Sequence, residues 1–98
     1  MTSRHARFNP AAEAELQAAM DWYEERRDGL GGEFMSEVRK TVAEIVETPQ
    51  RWRVNNGTRR APVTRFPYSV VYREPNDAEI EVVAVAHVRR RPDYWAGR

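Results

Sequence analysis

The chain has 98 residues, of which 41% are hydrophobic and 32% are charged. This length and composition predict one globular domain over residues 1–98 with a single modest core. The absence of cysteine excludes disulfides and thiolate metal sites. No apolar run reaches the ~18 residues that a membrane span needs, and the N-terminus lacks the apolar segment of a secretory signal. We therefore expect a cytoplasmic protein that does not contact a membrane.

The charge is distributed unevenly along the chain. Residues 1–50 carry six basic and ten acidic side chains, whereas residues 51–98 carry ten and five. Lys40 is the single lysine among the sixteen basic residues, and arginine binds phosphate and carboxylate groups bidentately where lysine does not. Two interpretations remain open at this point: a basic surface that meets an acidic partner, or a genome rich in arginine codons.

The first half of the chain predicts a short strand followed by a helix. The strand covers Arg4 to Phe8. Asn9 is a typical N-cap and Pro10 a typical first helical residue. Apolar residues then recur with the helical period, at Ala12, Leu16, Ala19, Met20 and Tyr23. Residues 28–32, DGLGG, are expected to end this helix, with Gly29 in the left-handed conformation and Leu30 packed into the corner.

A second amphipathic helix is predicted directly after these glycines. Its apolar stripe consists of Phe34, Val38, Thr41, Val42 and Ile45. The helix is expected to end at Thr48, because the residue before a proline is disfavoured in a helix. Two such helices form an antiparallel hairpin, and neither buries its stripe without a shared partner surface.

Three strands are predicted in the second half. Thr58–Thr64 is expected at an edge or a bulge, because Pro62 lacks the N–H of a sheet ladder. The next strand starts at Pro67, and its side chains alternate between the two faces of the sheet. A turn at residues 74–77 leads into Ile80–Val88, which is apolar on both faces and should lie centrally in an antiparallel meander.

The order and spacing of many short pieces resemble the RelE/ParE superfamily of bacterial toxins, specifically its ParE-like branch. The pieces, in chain order, are Trp22-Tyr23-Glu24, Gly29-Leu30-Gly31, Phe34, Pro49, Arg59-Arg60, Arg65-Phe66-Pro67-Tyr68, Val70, Tyr72, Ala84-Val85-Ala86-His87, Arg89-Arg90, Pro92 and Trp95. The resemblance implies an α+β fold of order β-α-α-β-β-β, with a helical hairpin on one face of a small antiparallel sheet. It also implies a toxin of a type II toxin–antitoxin or plasmid stabilisation system, neutralised by a cognate antitoxin whose tail wraps it.

The resemblance implies two kinds of activity. RelE-like members cleave messenger RNA on the ribosome, and ParE-like members block DNA gyrase by binding. RNA cleavage needs a base, an acid and cations near the phosphate. His87 is the candidate catalytic residue, with the alternative that it only ends a strand and bonds a backbone carbonyl. The lysine-rich set of RelE is missing, and no glutamate partner for His87 is evident from the sequence.

Five arginines are candidate target- or phosphate-binding residues: Arg59, Arg60, Arg65, Arg89 and Arg90. The alternatives are that residues 89–91 form a solvated tail, and that Arg59 and Arg60 point to opposite faces of a strand. Trp22, at the edge of its helix stripe, is the candidate partner-binding residue, since aromatic side chains anchor interfaces.

Other aromatic residues are assigned to the interior. Tyr68 and Tyr72 are expected in the core rather than as stacking platforms, and Trp95 is expected to pin the C-terminus onto the sheet. His5 and His87 do not suggest a zinc site, and we predict neither a metal nor a cofactor.

Three hypotheses follow. The leading one is a toxin that inhibits DNA gyrase by binding and is held inactive by an antitoxin. The second is a ribosome-dependent endoribonuclease that uses His87 and arginines. The third is a non-toxic relative that only binds an antitoxin.

Overall fold

The strand Glu79–His87 (β4) lies in the interior of the sheet, as its apolar run at residues 82–86 predicts. The computed structural model describes residues 4–98. The other strands are β1 (His5–Phe8), β2 (Arg59–Pro62) and β3 (Tyr68–Asn76), and the helices are α1 (Pro10–Arg26) and α2 (Leu30–Glu47). A short 3₁₀ turn covers Pro49–Arg51. This order confirms the α+β fold β-α-α-β-β-β.

The sheet is mixed, which corrects the expectation of an antiparallel sheet. The strand order is β1-β4-β3-β2. β2, β3 and β4 are antiparallel neighbours, but β1 pairs in parallel with the first half of β4, from His5 opposite Glu79 to Phe8 opposite Val82. No tight turn links β1 to β4, because both helices intervene, so the antiparallel geometry of a hairpin is not imposed on this pair.

α1 begins as predicted. The Asn9 side-chain oxygen accepts a hydrogen bond from the Ala11 N–H at 2.9 Å, and Pro10 is the first helical residue. Ala12, Leu16 and Ala19 are buried, and Met20 and Tyr23 pack against the same core.

The connection between the helices is shorter than predicted. α1 ends at Arg26 and α2 already begins at Leu30, so Leu30 lies in the helix rather than in the corner. Gly29 has the expected left-handed conformation, with φ of 88°. The Glu24 carboxylate accepts hydrogen bonds from the N–H groups of Gly29 and Gly31, at 2.9 and 3.0 Å. These bonds satisfy the first turn of α2 and compensate for the poor helical preference of its two glycines.

α2 buries its predicted stripe and ends at Glu47, with Thr48 as the cap. Phe34, Val38, Thr41 and Ile45 are buried. The helical stripes and one face of the sheet share a core, so the hairpin covers the strands as expected. None of the helices in residues 4–98 combines the length and apolarity required to cross a bilayer.

The strands follow the sequence prediction apart from their ends. β2 is an edge strand containing Pro62, as predicted. β3 extends to Asn76, beyond the predicted start of the turn. The turn is tighter because the Asn76 side chain accepts a hydrogen bond from the Ala78 N–H at 2.8 Å.

A β-bulge in β4 changes which face its side chains occupy. Val71 pairs with Ala84 and Tyr72 pairs with Val82, which leaves Val83 as the extra residue. Val83 and Ala84 therefore join the second face of the sheet, where Trp95 from the C-terminal segment covers them. Trp95 is 6% exposed, which confirms its predicted role in pinning the C-terminus.

One buried carboxylate ties this second face together. Glu81 is 6% exposed, and its Oε1 accepts a hydrogen bond from Arg73 Nε at 2.7 Å. Arg73 also donates to the backbone oxygen of Arg98 at 2.9 Å. Burial raises the pKa of Glu81, but the hydrogen bond and charge of Arg73, together with the charge of Arg7, outweigh it, so the pKa is lowered from 4.5.

This lowered pKa predicts an acid-dependent loss of stability. Ionised Glu81 stabilises the fold above pH 4.5, and the contribution is lost as the pH falls from there through the lowered pKa of the folded state. We expect the difference in unfolding free energy between wild type and Glu81→Gln, measured by urea titration, to be large near neutral pH and to shrink on acidification. Glu47→Gln, which alters an exposed carboxylate, is the control. An unchanging difference for Glu81→Gln contradicts the prediction.

Two adjacent glycines should respond oppositely to alanine. A Cβ at Gly31 would lie 2.6 Å from the Met20 carbonyl oxygen, whereas nothing lies within 4 Å of a Cβ at Gly32. We expect Gly31→Ala to destabilise the protein by about 1–3 kcal/mol through overpacking. Gly32→Ala should stabilise it by about 0.5 kcal/mol, because alanine restricts the unfolded chain. Chemical denaturation of the pair measures both, and equal effects would refute the close helix contact.

Candidate functional site

A groove of about 620 Å³ lies between α1 and the end of the sheet where β3 begins and β4 ends. We call it the α1 groove. It is lined by Glu15, Ala18, Ala19, Trp22, Tyr23, Pro67, Tyr68, Val85, His87 and Arg90. Three of the residues selected from the sequence, Trp22, His87 and Arg90, are therefore brought together in one place.

The helical contribution to the groove comes from a second stripe of α1. Glu15, Ala18 and Trp22 are spaced at i, i+3 and i+7, so they share one face of the helix beside the core stripe. The small Ala18 leaves space between the two larger side chains. This i, i+3, i+7 spacing is visible in the sequence, but the apolar core stripe beside it is the stronger periodic signal.

Trp22 is exposed to the extent that its position at the stripe edge predicts. Its side chain is 51% exposed. The indole packs edge-on against the Tyr23 ring, with centroids 5.1 Å apart, and the Arg26 guanidinium lies 3.6 Å above its centroid. These contacts hold a large aromatic surface in a fixed orientation at the mouth of the groove, as an interface anchor requires.

An aromatic cluster connects two lining residues of the groove, Tyr23 and Tyr68, to the core. Phe66 packs edge-on against Tyr23 and Phe34, with centroids 4.9 and 5.1 Å apart. Tyr68 lies 5.0 Å from Phe34 and 5.1 Å from the His87 ring. Burial raises the pKa of Tyr68, and the charge of Glu15 adds to the effect. Tyr68 thus packs on the core, as predicted, and also lines the groove. Tyr72 is fully buried and donates to the Pro49 carbonyl at 2.6 Å.

His87 ends β4 and bonds to the backbone that follows it. Its Nδ1 accepts a hydrogen bond from the Arg89 N–H at 3.0 Å. A neutral imidazole in this arrangement carries its proton on Nε2, so Nδ1 is engaged and Nε2 is a donor. The ring is therefore held as a hydrogen-bond donor beside Tyr68, which differs from the predicted alternative of a bond to a carbonyl.

Glu15 lines the α1 groove, although no sequence pattern marked it as a site residue. Its Oε1 accepts the Val85 N–H at 3.0 Å, and Arg98 binds both carboxylate oxygens, at 2.9 and 3.1 Å. Arg98 also donates to the Val83 carbonyl at 3.0 Å. Since all its bonds are to the protein's own groups, Glu15 acts as a structural link between α1, β4 and the C-terminal segment.

The candidate phosphate-binding arginines fall into two groups. Arg59 donates to the Trp52 carbonyl at 2.6 Å and pairs with Glu74 at 3.5 Å. Arg65 donates to Glu33 at 2.8 Å and holds the pKa of that carboxyl below its ordinary value. Both are engaged within the fold.

The second group is exposed. Arg60 lies with its guanidinium 5.3 Å from the Trp95 ring, on the sheet face opposite the helices, and Arg90 lies 4.0 Å from the Tyr94 ring. Arg89 is exposed in the turn after β4. The binding roles of all five arginines stay predictions. Within residues 4–98, no three His, Asp or Glu side chains are grouped to hold a metal ion.

The fold and the groove define a small α+β domain with a mainly apolar groove beside its first helix. A solved structure described as "Chromosomal ParDE TA system from P. aeruginosa" matches the fold with a TM-score of 0.71. The match is 18% identical and covers 87% of this chain and 96% of that one. A comparison with curated proteins gave no significant match.

The chain belongs to the ParE toxin family. The family model described as "ParE toxin of type II toxin-antitoxin system, parDE" matches residues 6–92. The protein is therefore a toxin component of a type II toxin–antitoxin system, and the resemblance seen in the sequence is confirmed.

The Glu15–Arg98 pair should contribute more to stability than a surface pair of similar length. The two side chains are 16% and 22% exposed, against 37% and 50% for Glu33 and Arg65. A double-mutant cycle with Glu15→Gln and Arg98→Met should give a coupling energy of about 1–3 kcal/mol, because the pair is bidentate and shielded. The cycle with Glu33→Gln and Arg65→Met should give a smaller coupling energy, because water screens this more exposed pair. Equal coupling energies would show that Glu15 is not a structural link.

Proposed function

We propose that this toxin inhibits DNA gyrase by binding it through the α1 groove, and that a cognate antitoxin neutralises it in the cytoplasm. The observation that carries the proposal is which side chains of the groove are exposed and which are already hydrogen-bonded. Its exposed aromatic, Trp22, is free for a partner, while its two candidate proton acceptors, Glu15 and the Nδ1 of His87, are already bonded within the fold. Such a surface is suited to docking.

The groove lacks a free general base. Abstraction of a 2′-hydroxyl proton requires an acceptor within hydrogen-bond reach of the substrate. The Nδ1 of His87 is taken by the Arg89 N–H, and the Glu15 carboxylate is taken by Arg98 and Val85. Releasing Glu15 would leave the Val85 N–H unpaired and would remove the carboxylate partner of Arg98, which is unfavourable in a part-buried position.

One observation favours ribosome-dependent RNA cleavage as the second candidate. His87, Tyr68 and Arg90 line the same groove, which supplies a proton donor, an aromatic ring and a cation. An RNA substrate would then have to bring its own acceptor, or displace Nδ1 from the Arg89 N–H. The test below separates this function from gyrase inhibition.

The test is a supercoiling assay with purified gyrase, relaxed plasmid and ATP. Wild-type toxin should inhibit supercoiling. Trp22→Ala should raise the inhibitory concentration by about 30-fold or more, because buried aromatic anchors contribute about 2 kcal/mol or more at interfaces. Val54→Ala is the matched control, since Val54 is also 51% exposed but lies outside the α1 groove. His87→Ala should weaken inhibition less than Trp22→Ala does, because His87 is not the exposed aromatic anchor and inhibition by binding does not need its proton.

Two further measurements complete the test. The thermal transitions of Trp22→Ala and Val54→Ala should both match wild type, and a collapse of the first would mean that Trp22 belongs to the core. Cleavage of messenger RNA in a translating extract, abolished by His87→Ala, would replace gyrase inhibition with the nuclease function. A wild-type protein without effect in either assay would be a non-toxic relative.

A further inference from the structure

We infer that four arginines beside the α1 groove form a surface for the phosphate backbone of duplex DNA. This surface, which we call the arginine ridge, consists of Arg60, Arg89, Arg90 and Arg91. The inference rests on the proposed function and deepens it, because a toxin docked on gyrase meets that enzyme while it holds duplex DNA.

The ridge arginines differ from most others in the protein because they lack acidic partners. Ion pairs within the fold engage eight arginines, namely Arg7, Arg26, Arg27, Arg51, Arg59, Arg65, Arg73 and Arg98. Within residues 4–98, none of the four ridge arginines forms such a pair, and all four are exposed. Their charge is therefore available to an external anion.

Two adjoining rings carry the ridge. The Arg60 guanidinium lies 5.3 Å from the Trp95 centroid, the Arg90 guanidinium lies 4.0 Å from the Tyr94 centroid, and the two rings are 5.2 Å apart. A guanidinium held against a ring face keeps its N–H edge free for bidentate bonds to phosphate. The neighbours of Arg90 on both sides are arginines, so the positive charge continues through the turn.

Few negative charges oppose this surface. Asp93 is the single acidic residue after β4, and its carboxylate accepts a hydrogen bond from the Asn56 side chain at 3.3 Å. The Glu15 carboxylate, which lies on the groove side, is balanced by Arg98. The ridge therefore keeps a net positive charge, which attracts a polyanion.

The placement of the aromatic rings favours a duplex over a single strand. Single-stranded nucleic acids are bound largely by stacking of bases on exposed aromatic side chains. Here Trp95 is buried against the sheet, and Tyr94 is flanked by the guanidiniums of Arg90 and Arg98 at 4.0 and 5.1 Å. Neither ring is an exposed stacking platform, because Trp95 is buried and Tyr94 is half-buried with two guanidiniums against it. The guanidinium edges, in contrast, suit the regular phosphates of a duplex. Contacts of this kind do not depend on base sequence.

Arg90 connects the ridge to the α1 groove, because it lines the groove and also packs on Tyr94. A protein partner in the groove and a duplex on the ridge would thus lie side by side. The geometry fits a target that presents a protein surface and DNA together.

The test is the salt dependence of DNA binding by the full chain without gyrase. Fluorescence anisotropy would follow a labelled duplex of about 20 base pairs between about 50 and 200 mM NaCl. Four phosphate contacts predict a slope of about −3.6 for log Kobs against log [NaCl]. Raising NaCl from about 50 to about 150 mM should then weaken binding about 50-fold.

A pair of charge-matched variants localises the contact. Arg89→Gln with Arg91→Gln should halve the slope to about −1.8, since two phosphate contacts are lost. Arg39→Gln with Arg53→Gln removes the same charge from exposed arginines outside the ridge and should leave the slope near the wild-type value. Neither pair includes a residue that lines the α1 groove.

Each outcome of these binding measurements either supports the inference or overturns it. Equal binding to two unrelated duplex sequences, with the loss confined to the ridge variant, supports the inference. It is overturned by equal losses in both variants, by undetectable binding at the lowest salt, by tighter binding of a single-stranded RNA of the same length, or by tighter binding of an acidic peptide. DNA binding without gyrase inhibition would support the arginine ridge as a DNA-binding surface and reject gyrase as the target. Gyrase inhibition without DNA binding would support gyrase as the target and reject the ridge as a DNA-binding surface.

Discussion

The structure depends on how the backbone N–H and C=O groups are hydrogen-bonded along the half of the β4 edge that β1 does not cover. β1 has four residues and β4 has nine, so the parallel pairing ends at Val82. Beyond that point the Val85 N–H bonds to Glu15 of α1, and the Val83 carbonyl bonds to Arg98. Unpaired backbone groups in a part-buried edge are strongly unfavourable. A short first strand therefore requires both a carboxylate on the helix and a C-terminal segment that returns to the same edge.

The α1 groove exists because side chains, rather than a neighbouring strand, bond to this part of the β4 edge. On the edge of β4 that pairs with β1, no strand of residues 4–98 continues past Val82, so space remains between α1 and the sheet. Trp22 and Tyr68 line this space with aromatic surface. The bonds that stabilise the edge also engage the Glu15 carboxylate, which lines the same space.

The sequence was sufficient for the elements and insufficient for their long-range links. Helical periodicity located both stripes, and Pro62 placed β2 at an edge, because these signals are local. Leu30 was misplaced because three glycines resemble a turn, whereas the Glu24 carboxylate satisfies the first turn of α2 there. Glu15 and Arg98 are 83 residues apart, and no local pattern connects them. The bulge at Val83 was not predicted either, because a continuous apolar run does not show which side chains lie on which face of the sheet.

The position of Arg98 also bears on when the toxin surface appears during synthesis. The pairing of β1 with β4 joins the two ends of the chain, and such distant contacts form late in folding. The Glu15 link cannot close until Arg98 has left the ribosome, because chains emerge with the N-terminus first. The helical hairpin, built from contiguous residues, is available well before. A nascent chain therefore exposes its helical hairpin before the α1 groove is complete.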